Sequence, residues 1–338
     1  MGYERYSRQI LFSEIGENGQ RLLSKASVLI LGCGALGTVS ANHLVRAGVG
    51  RVRIVDRDFV ELNNLQRQIL FDEEDAFLRL PKAVAAVRKL ERINSEVKIE
   101  PLIIDVNSRN IESVISTFDL ILDATDNMET RYLLNDACIK NGVPWIYAGV
   151  IGSFGMTMNI IPGRSACLRC LMDTPPVPGS MPTCDTVGVL NSVPGVIASI
   201  QATEALKILT GNINTDNSII HVDLWEREFN QFQVKQHPDC PACVRKEFEF
   251  LKEDALSETF SLCGRNAVQI TPRRESEFNL ENLKVNLSPL GKVNDNGYFL
   301  SFEADGFEFV VFPEGRTMIK GTTDESVART LFAKYIGS

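Results

Sequence analysis

Short apolar runs separated by glycines and acids organise the first half of the chain. Val28-Leu29-Ile30-Leu31 reads as a strand, Gly32-Cys33-Gly34-Ala35-Leu36-Gly37 as a turn, and the segment to about Ala47 as a helix. Val52-Arg53-Ile54-Val55 is a second strand, closed by Asp56. Before it, residues 3 to 25 mix Arg5, Arg8, Arg21 and Lys25 with Ile10, Leu11, Ile15, Leu22 and Leu23, which suits a short amphipathic helical entry. After it, the spacing of Ala83, Val84, Val87, Leu90 and Ile93 predicts a helix starting at Lys82. Ile99 to Ile104 and Leu120-Ile121-Leu122 read as strands, with a helix around Glu129 to Lys140. Trp145 to Tyr147 and Met156 to Ile161, joined through Gly149, Gly152 and Gly155, then turn antiparallel. A helix from Pro194 to Leu209, ended by Gly211, and a strand from Ile219 to Trp225 complete this part.

The glycine turn carries the first chemical signal. Gly32 permits the tight turn, Gly34 lets backbone approach a phosphate, and Gly37 lets the helix pack closely, so the helix start offers N–H groups to an anion. Asp56 stands where a carboxylate accepts ribose hydroxyls. These features alone favour a dinucleotide and an NAD-dependent dehydrogenase. Asn63-Asn64-Leu65-Gln66-Arg67-Gln68 and Lys82 argue otherwise, because they bring amides and two cations to where phosphates would lie. Two cations suit a triphosphate.

The composition is that of a globular chain: 338 residues, 44% hydrophobic and 23% charged, with a net charge of -8. That charge weighs against general nucleic-acid binding. Met1 to Tyr6 has no apolar core of a secretory signal, and no apolar run approaches the ~18 residues of a membrane span, so a cytoplasmic location is expected. In that reduced setting the eight cysteines read as ligands, nucleophiles or core residues. Cys167-Leu168-Arg169-Cys170 and Cys240-Pro241-Ala242-Cys243 are two C-x-x-C hooks, the donor set of a closed structural zinc site. Cys33 and Cys138 look like core positions, and Cys263 has no base beside it. Cys184 lies in a segment, Pro175 to Asn191, long enough for a mobile crossover, where a cysteine reads first as a small loop residue.

Arg5-Tyr6-Ser7-Arg8-Gln9, the glycine turn, Asp56-Arg57-Asp58, Asn64-Leu65-Gln66-Arg67-Gln68, Pro81-Lys82 and Ala124-Thr125-Asp126-Asn127 together resemble the ThiF/MoeB/HesA family, bacterial relatives of ubiquitin-activating enzymes. The resemblance covers residues 3 to about 245. It implies an α/β fold with a Rossmann-like ATP-binding sheet continued by antiparallel strands, and an adenylyltransferase that activates the C-terminal Gly-Gly carboxylate of a ThiS- or MoaD-like sulfur carrier for thiamine or molybdopterin synthesis. It assigns Arg8 to the partner's ATP site in a homodimer, Asp126 to Mg²⁺ and the phosphates with Asn127 beside it, and Cys184 to taking over an acyl group or persulfide, with a sulfurtransferase as a further partner. One departure is Ala35, where family members often carry a second central glycine. A tRNA-modifying dehydratase of the same superfamily is the alternative within the fold, disfavoured by the acidic balance and the hooks, and a non-catalytic scaffold is disfavoured by the nearly complete ATP-site set.

The domains expected are 1–245 for adenylation and the zinc site, 246–260 as linker after the run Arg245-Lys246-Glu247, and 261–338 as a small α+β domain that helps position a carrier. The alternation in Phe307-Glu308-Phe309 and the turns Asn296-Gly297 and Asp305-Gly306 predict hairpins there. It lacks the cysteine-centred loop of a rhodanese domain.

Overall fold

The computed structural model describes residues 3–176, 184–212, 218–252, 259–262, 266–272 and 278–337. Two units divide the chain, Met1–Ala255 and Leu256–Ser338. The larger begins with a 3-10 turn and helices α1 (Ser7–Ile10) and α2 (Gly16–Leu23), then β1 (Ser27–Leu31), α3 (Ala35–Ala47) and β2 (Arg51–Val55). Next come α4 (Glu73–Phe77), α5 (Lys82–Ile93), β3 (Lys98–Leu102), α6 (Ile111–Ile115), β4 (Leu120–Asp123) and α7 (Met128–Asn141). β5 (Trp145–Ile151), β6 (Phe154–Ile160), α8 (Leu168–Leu171), α9 (Cys184–Val187), α10 (Ser192–Leu209), β7 (Ser218–Asp223) and β8 (Glu228–Gln233) complete it.

All eight strands form one sheet in the order β3-β2-β1-β4-β5-β6-β7-β8. Pairing is parallel from β3 to β5 and antiparallel from β5 to β8, the mixed sheet the sequence implies. β1 is flanked by β2 on one side and β4 on the other, so chain order reverses there and the crevice of an open α/β sheet lies beyond their carboxyl ends. Gly32 to Gly37 follows β1 and Ala124 to Asn127 follows β4, which puts both motifs at that switch point. Leu29, Ile30, Ile121 and Leu122 are fully buried, as strands covered on both faces require.

The structure adds elements that the apolar pattern does not predict. β8 is an edge strand, Glu-Phe-Asn-Gln-Phe-Gln, whose two aromatics fall three apart rather than alternating. Trp225, expected to end a strand, instead sits in the turn between β7 and β8 and is 73% exposed. The run Arg245-Lys246-Glu247 does not lead directly into open chain. Residues 249–251 form a 3-10 turn, the Phe250 N–H donates to Asp136 at 3.2 Å, and the Phe250 ring meets Tyr132 with centroids 5.0 Å apart.

The smaller unit is an antiparallel sheet of six strands among the described residues, in the order β11-β12-β13-β14-β10-β9. Its strands are β9 (Thr259–Leu262), β10 (Ala267–Ile270), β11 (Lys292–Asp295), β12 (Leu300–Ala304), β13 (Phe307–Val311) and β14 (Thr317–Lys320). Helices α11 (Leu280–Leu287) and α12 (Glu325–Tyr335) pack on it through Leu283, Leu287, Ala328 and Leu331. Asp305 and Gly306 both have positive φ, the twist that a two-residue hairpin needs. Asn296-Gly297 joins β11 to β12 in the expected hairpin, although Lys-Val-Asn-Asp carries one apolar residue and no alternation; β9 is an addition. Cys263 lies outside the described residues.

Candidate functional site

At Gly32 the backbone has φ +96° and a Cβ would stand 2.5 Å from the Ala124 carbonyl oxygen, so this turn accepts no side chain. Gly37 is as constrained, because its Cβ would collide with the Gly32 carbonyl oxygen. Gly34 is different. A Cβ there would meet only Gln68 Nε2, at 3.9 Å, so the missing side chain leaves open space over the helix start. Ala35 is the first residue of α3, and the helix forms normally behind it.

Asp56 holds the turn as well as facing the crevice. Its carboxylate accepts from Cys33 N at 2.6 Å and from Asp58 N at 2.7 Å. Burial pushes its pKa up, and Lys82 pulls it back. Lys82 opens α5 and is 4% exposed, with Nζ 3.5 Å from Asp58 Oδ2. A buried ammonium beside two carboxylates is held in place by those partners.

The 63–68 segment divides its work. Asn64 Oδ1 accepts from Glu61 N at 3.1 Å and its amide donates to Asn63 Oδ1 at 2.8 Å, so this asparagine caps the local turn. Leu65 is half-buried and Gln66 exposed. Arg67 donates to the Asn63 carbonyl at 2.9 Å and makes no ion pair among the described residues. Gln68 is 4% exposed, and its Oε1 is buried with no hydrogen-bond partner. A buried orphan acceptor beside an open glycine is the mark of a site shaped for something that donates.

From the other side of the switch point come Asp123, Thr125, Asp126 and Asn127. Asp123 is buried, and burial raises its pKa while Arg131 opposes the rise. Asn127 caps α7, its Oδ1 accepting from Thr130 N at 2.8 Å. Asp126 is exposed and its carboxylate has no partner among the described residues. Its charge reaches Arg57 and Arg131. A free carboxylate here, close after the strand that borders the glycine turn, fits a hard cation bound jointly with phosphate oxygens.

Arg8 is exposed and unpartnered among the described residues, while its motif neighbours are structural. The Tyr6 hydroxyl accepts from Asn94 Nδ2 at 2.8 Å, and Gln9 donates to the Ala47 carbonyl at 2.9 Å. They anchor the entry and leave Arg8 projecting. α9 carries Cys184 at its first position; its side chain lies outside the described residues. The chain after α9 is stitched to the β5–β6 turn, Gly152 N to Gly188 O at 3.0 Å and Leu190 N to Gly152 O at 2.8 Å. Before it, the Tyr132 hydroxyl lies 2.8 Å from both the Met172 and the Thr174 carbonyls.

The two hooks converge: the Sγ atoms of Cys167, Cys170, Cys240 and Cys243 all lie within 4.8 Å of one another. Hydrogen bonds from Cys167 and Cys170 pull the Cys243 thiol down, and the same crowding pushes Cys167 up. Four thiols this close fit a single dication, which would let all four ionise together and leaves no open position. His237 N at 3.4 Å from Cys170 Sγ and Gln236 Nε2 at 3.4 Å from Cys243 Sγ supply supporting donors.

Sequence reasoning missed Arg131, Tyr132 and Gln201. Each is a buried polar side chain on a helix, and that interruption of an apolar face was the only available signal.

Comparison with known proteins agrees with this geometry. The ThiF family profile matches residues 6–242. The chain is 44% identical to a sulfur carrier protein ThiS adenylyltransferase of Bacillus subtilis (strain 168), over 98% of this chain and 99% of the relative. It is 37% identical to a SAMP-activating enzyme E1 of Haloferax volcanii, over 71% of this chain and 88% of the relative. Among solved structures, E. coli MccB with ATP aligns with a TM-score of 0.63 and 24% identity, covering 71% of this chain and 74% of that one, a likeness of fold.

Proposed function

The chain belongs to the ThiF family, and from that premise we propose that it is an ATP-dependent adenylyltransferase that activates the C-terminal glycine carboxylate of a small ubiquitin-like sulfur carrier. The observation that carries the reading is the crevice itself, where an open Gly34, an orphan Gln68 Oε1, a buried Lys82 and an unpartnered Asp126 meet at the switch point of the sheet.

ATP lies with its phosphates over Gly32 to Gly37 and its ribose on Asp56. Arg67, Lys82 and the partner's Arg8 offset the phosphate charge in a homodimer. Asp126, with Asn127 beside it, would hold Mg²⁺, which supplies charge neutralisation of the phosphates when bound. A carrier carboxylate oxygen forms a bond to the α-phosphorus, and the bond to the bridging oxygen breaks, so pyrophosphate leaves with the electron pair. No general base is needed, because the carboxylate is ionised at neutral pH. Catalysis is then positioning plus electrostatic stabilisation.

The exposed edge of the antiparallel half offers a surface for the carrier: Phe229 is 62% and Phe232 56% exposed on β8, beside Trp225. The full-length relative's name favours a ThiS-like carrier and the thiamine branch over a MoaD-like one. Cys167, Cys170, Cys240 and Cys243 hold a structural zinc. The Cys184 thiolate either attacks the acyl-adenylate carbonyl, forming a thioester as AMP leaves, or takes the outer sulfur of a sulfurtransferase persulfide, whose own thiolate leaves. No helix among the described residues is long and apolar enough to cross a membrane.

The test is ATP–pyrophosphate exchange with each purified carrier, followed by mass measurement of the carrier. Exchange with the ThiS-like carrier and a product heavier by one AMP are expected. No exchange with any Gly-Gly-ended carrier would end the reading. Mixing inactive Arg8→Ala and Arg67→Ala chains should recover part of the activity if Arg8 acts across the dimer.

A further inference from the structure

The ladder between β4 and β5 is two residue pairs long, Ile121 with Trp145 and Leu122 with Ile146. Beyond it the strands part, and the carbonyls they leave are taken up by side chains. Gln201, on α10, donates Nε2 to the Asp123 carbonyl at 2.8 Å and the Ile146 carbonyl at 3.1 Å. Its Oε1 accepts from Ser40 Oγ at 2.9 Å, so its amide is fixed from both ends. Arg131, on α7 and 9% exposed, donates Nη2 to the Thr125 carbonyl at 2.6 Å and the Ala148 carbonyl at 3.0 Å. Its Nε donates to Asp123 Oδ2 at 3.1 Å.

Asp123 is tied in turn to Thr125, since its Oδ1 accepts from Thr125 N at 2.9 Å and Thr125 Oγ1 at 2.7 Å. The Thr125 carbonyl and the Asp126 N–H belong to one planar peptide group, so holding the carbonyl orients the bond from which Asp126 projects. On the other side Asn127 is locked as a helix cap. Asp126, whose side chain makes no hydrogen bond or salt bridge among the described residues, is thus aimed by its neighbours. Neutralising Asp123 would require only one positive charge. Reaching three acceptors on two segments at once requires a planar fork, which lysine lacks.

We propose that Arg131 is a positioning residue for the adenylation reaction: by clamping the Thr125 carbonyl, the Asp123 carboxylate and the end of β5, it sets where Asp126 meets a nucleotide-bound divalent cation. This rests on the reading of Asp126 as the metal-holding acid. It also explains why the sheet is opened and then re-fastened by side chains at this point, since a continued β4–β5 ladder would close the slot beside the Asp126 loop.

The full chain carrying Arg131→Lys keeps the charge against Asp123 and loses the fork. Binding of a fluorescent ATP analogue is titrated with and without Mg²⁺. Affinity without Mg²⁺ should stay within about 2-fold of the parent, while the Mg²⁺ concentration for half-maximal enhancement rises about 10-fold, as for loss of a group supporting a metal ligand. In an Asp126→Asn background the same substitution should add less than about 2-fold, the coupling expected of residues acting through one another. An equal Mg²⁺ shift in both backgrounds, or none in either, overturns the proposal. If Asp126→Asn alone leaves the Mg²⁺ dependence unchanged, the metal assignment fails and takes the proposal with it. If Asp126→Asn weakens it and Arg131→Lys does not, the assignment stands and the role of Arg131 falls. Should Arg131→Lys not fold, the paired Asp123→Asn, Arg131→Gln chain removes both charges together and is expected to show the same Mg²⁺ shift.

Discussion

The nucleotide crevice and the cysteine cluster, both served by α7, are built on opposite terms. In the crevice, among the described residues, Gln68 Oε1 lacks a hydrogen-bond partner, Arg67 holds only a carbonyl, and the exposed Asp126 carboxylate makes no hydrogen bond or salt bridge. At the cluster four sulfurs already face one point and take donors from Gln236 and His237. Unspent groups mark a place where something arrives and leaves, and their cost in stability is offset by the buried sheet around them. Convergent, mutually crowded groups mark a place meant to be filled once. The contrast is what the proposed reading expects of a substrate site and a structural one.

Metal removal should break the comparison hardest. Chelation, or Cys240→Ala, is expected to cost on the order of 5 kcal/mol, read as a fall in Tm. A purified chain that holds no zinc and melts unchanged in chelator would remove the structural half of the contrast. Arg67→Ala should do the reverse, lowering kcat about 100-fold with no change in Tm, because its one described bond is to a neighbouring carbonyl. Gly37→Ala should lower both, destabilising by about 1–3 kcal/mol as the new methyl displaces the Gly32 carbonyl.

A smaller effect sits between the two regions. Burial pushes Asp136 from 3.8 to about 6, with the Phe250 N–H bond opposing the rise. Since the folded pKa is the higher one, the stability this group contributes is present below about pH 4 and is lost as pH rises through about 6. Asp136→Asn should therefore flatten stability against pH across that window, measured by urea unfolding at a series of pH values; an unchanged slope would assign it to other groups. Smallest of all, Ala35→Gly should change stability by less than about 1 kcal/mol and leave ATP affinity intact.

Much of the crevice was legible because its residues sit at sequence positions dictated by local geometry. Gly32 needs positive φ, Lys82 starts a helix, and Asp56 ends a strand; each leaves a local trace. The groups behind the crevice left only a polar residue in a helix as their trace. Gln201 lies far along the chain from Asp123, and a single glutamine in an apolar helix does not announce its partner. Arg131 and Tyr132 likewise acquire their meaning only when β5 and the segment at Met172 are brought beside α7. In the smaller unit, turns with paired positive φ at Asp305-Gly306 were readable, whereas β11 required its neighbour β12 to become a strand. The charged run at 245–247 concealed Phe250, whose partial burial depends on Tyr132 and Asp136 rather than on local pattern.

α7 begins two residues past the free acid Asp126. Farther along, Asn135 Oδ1 accepts the N–H of Leu168, next to the first hook cysteine, at 3.0 Å. One helix therefore runs from the Asp126 loop, the proposed phosphate site, to the segment that carries the first cysteine hook. If occupancy at one end and anchorage at the other are coupled through this helix, a chain stripped of its rivet should hold its nucleotide less firmly.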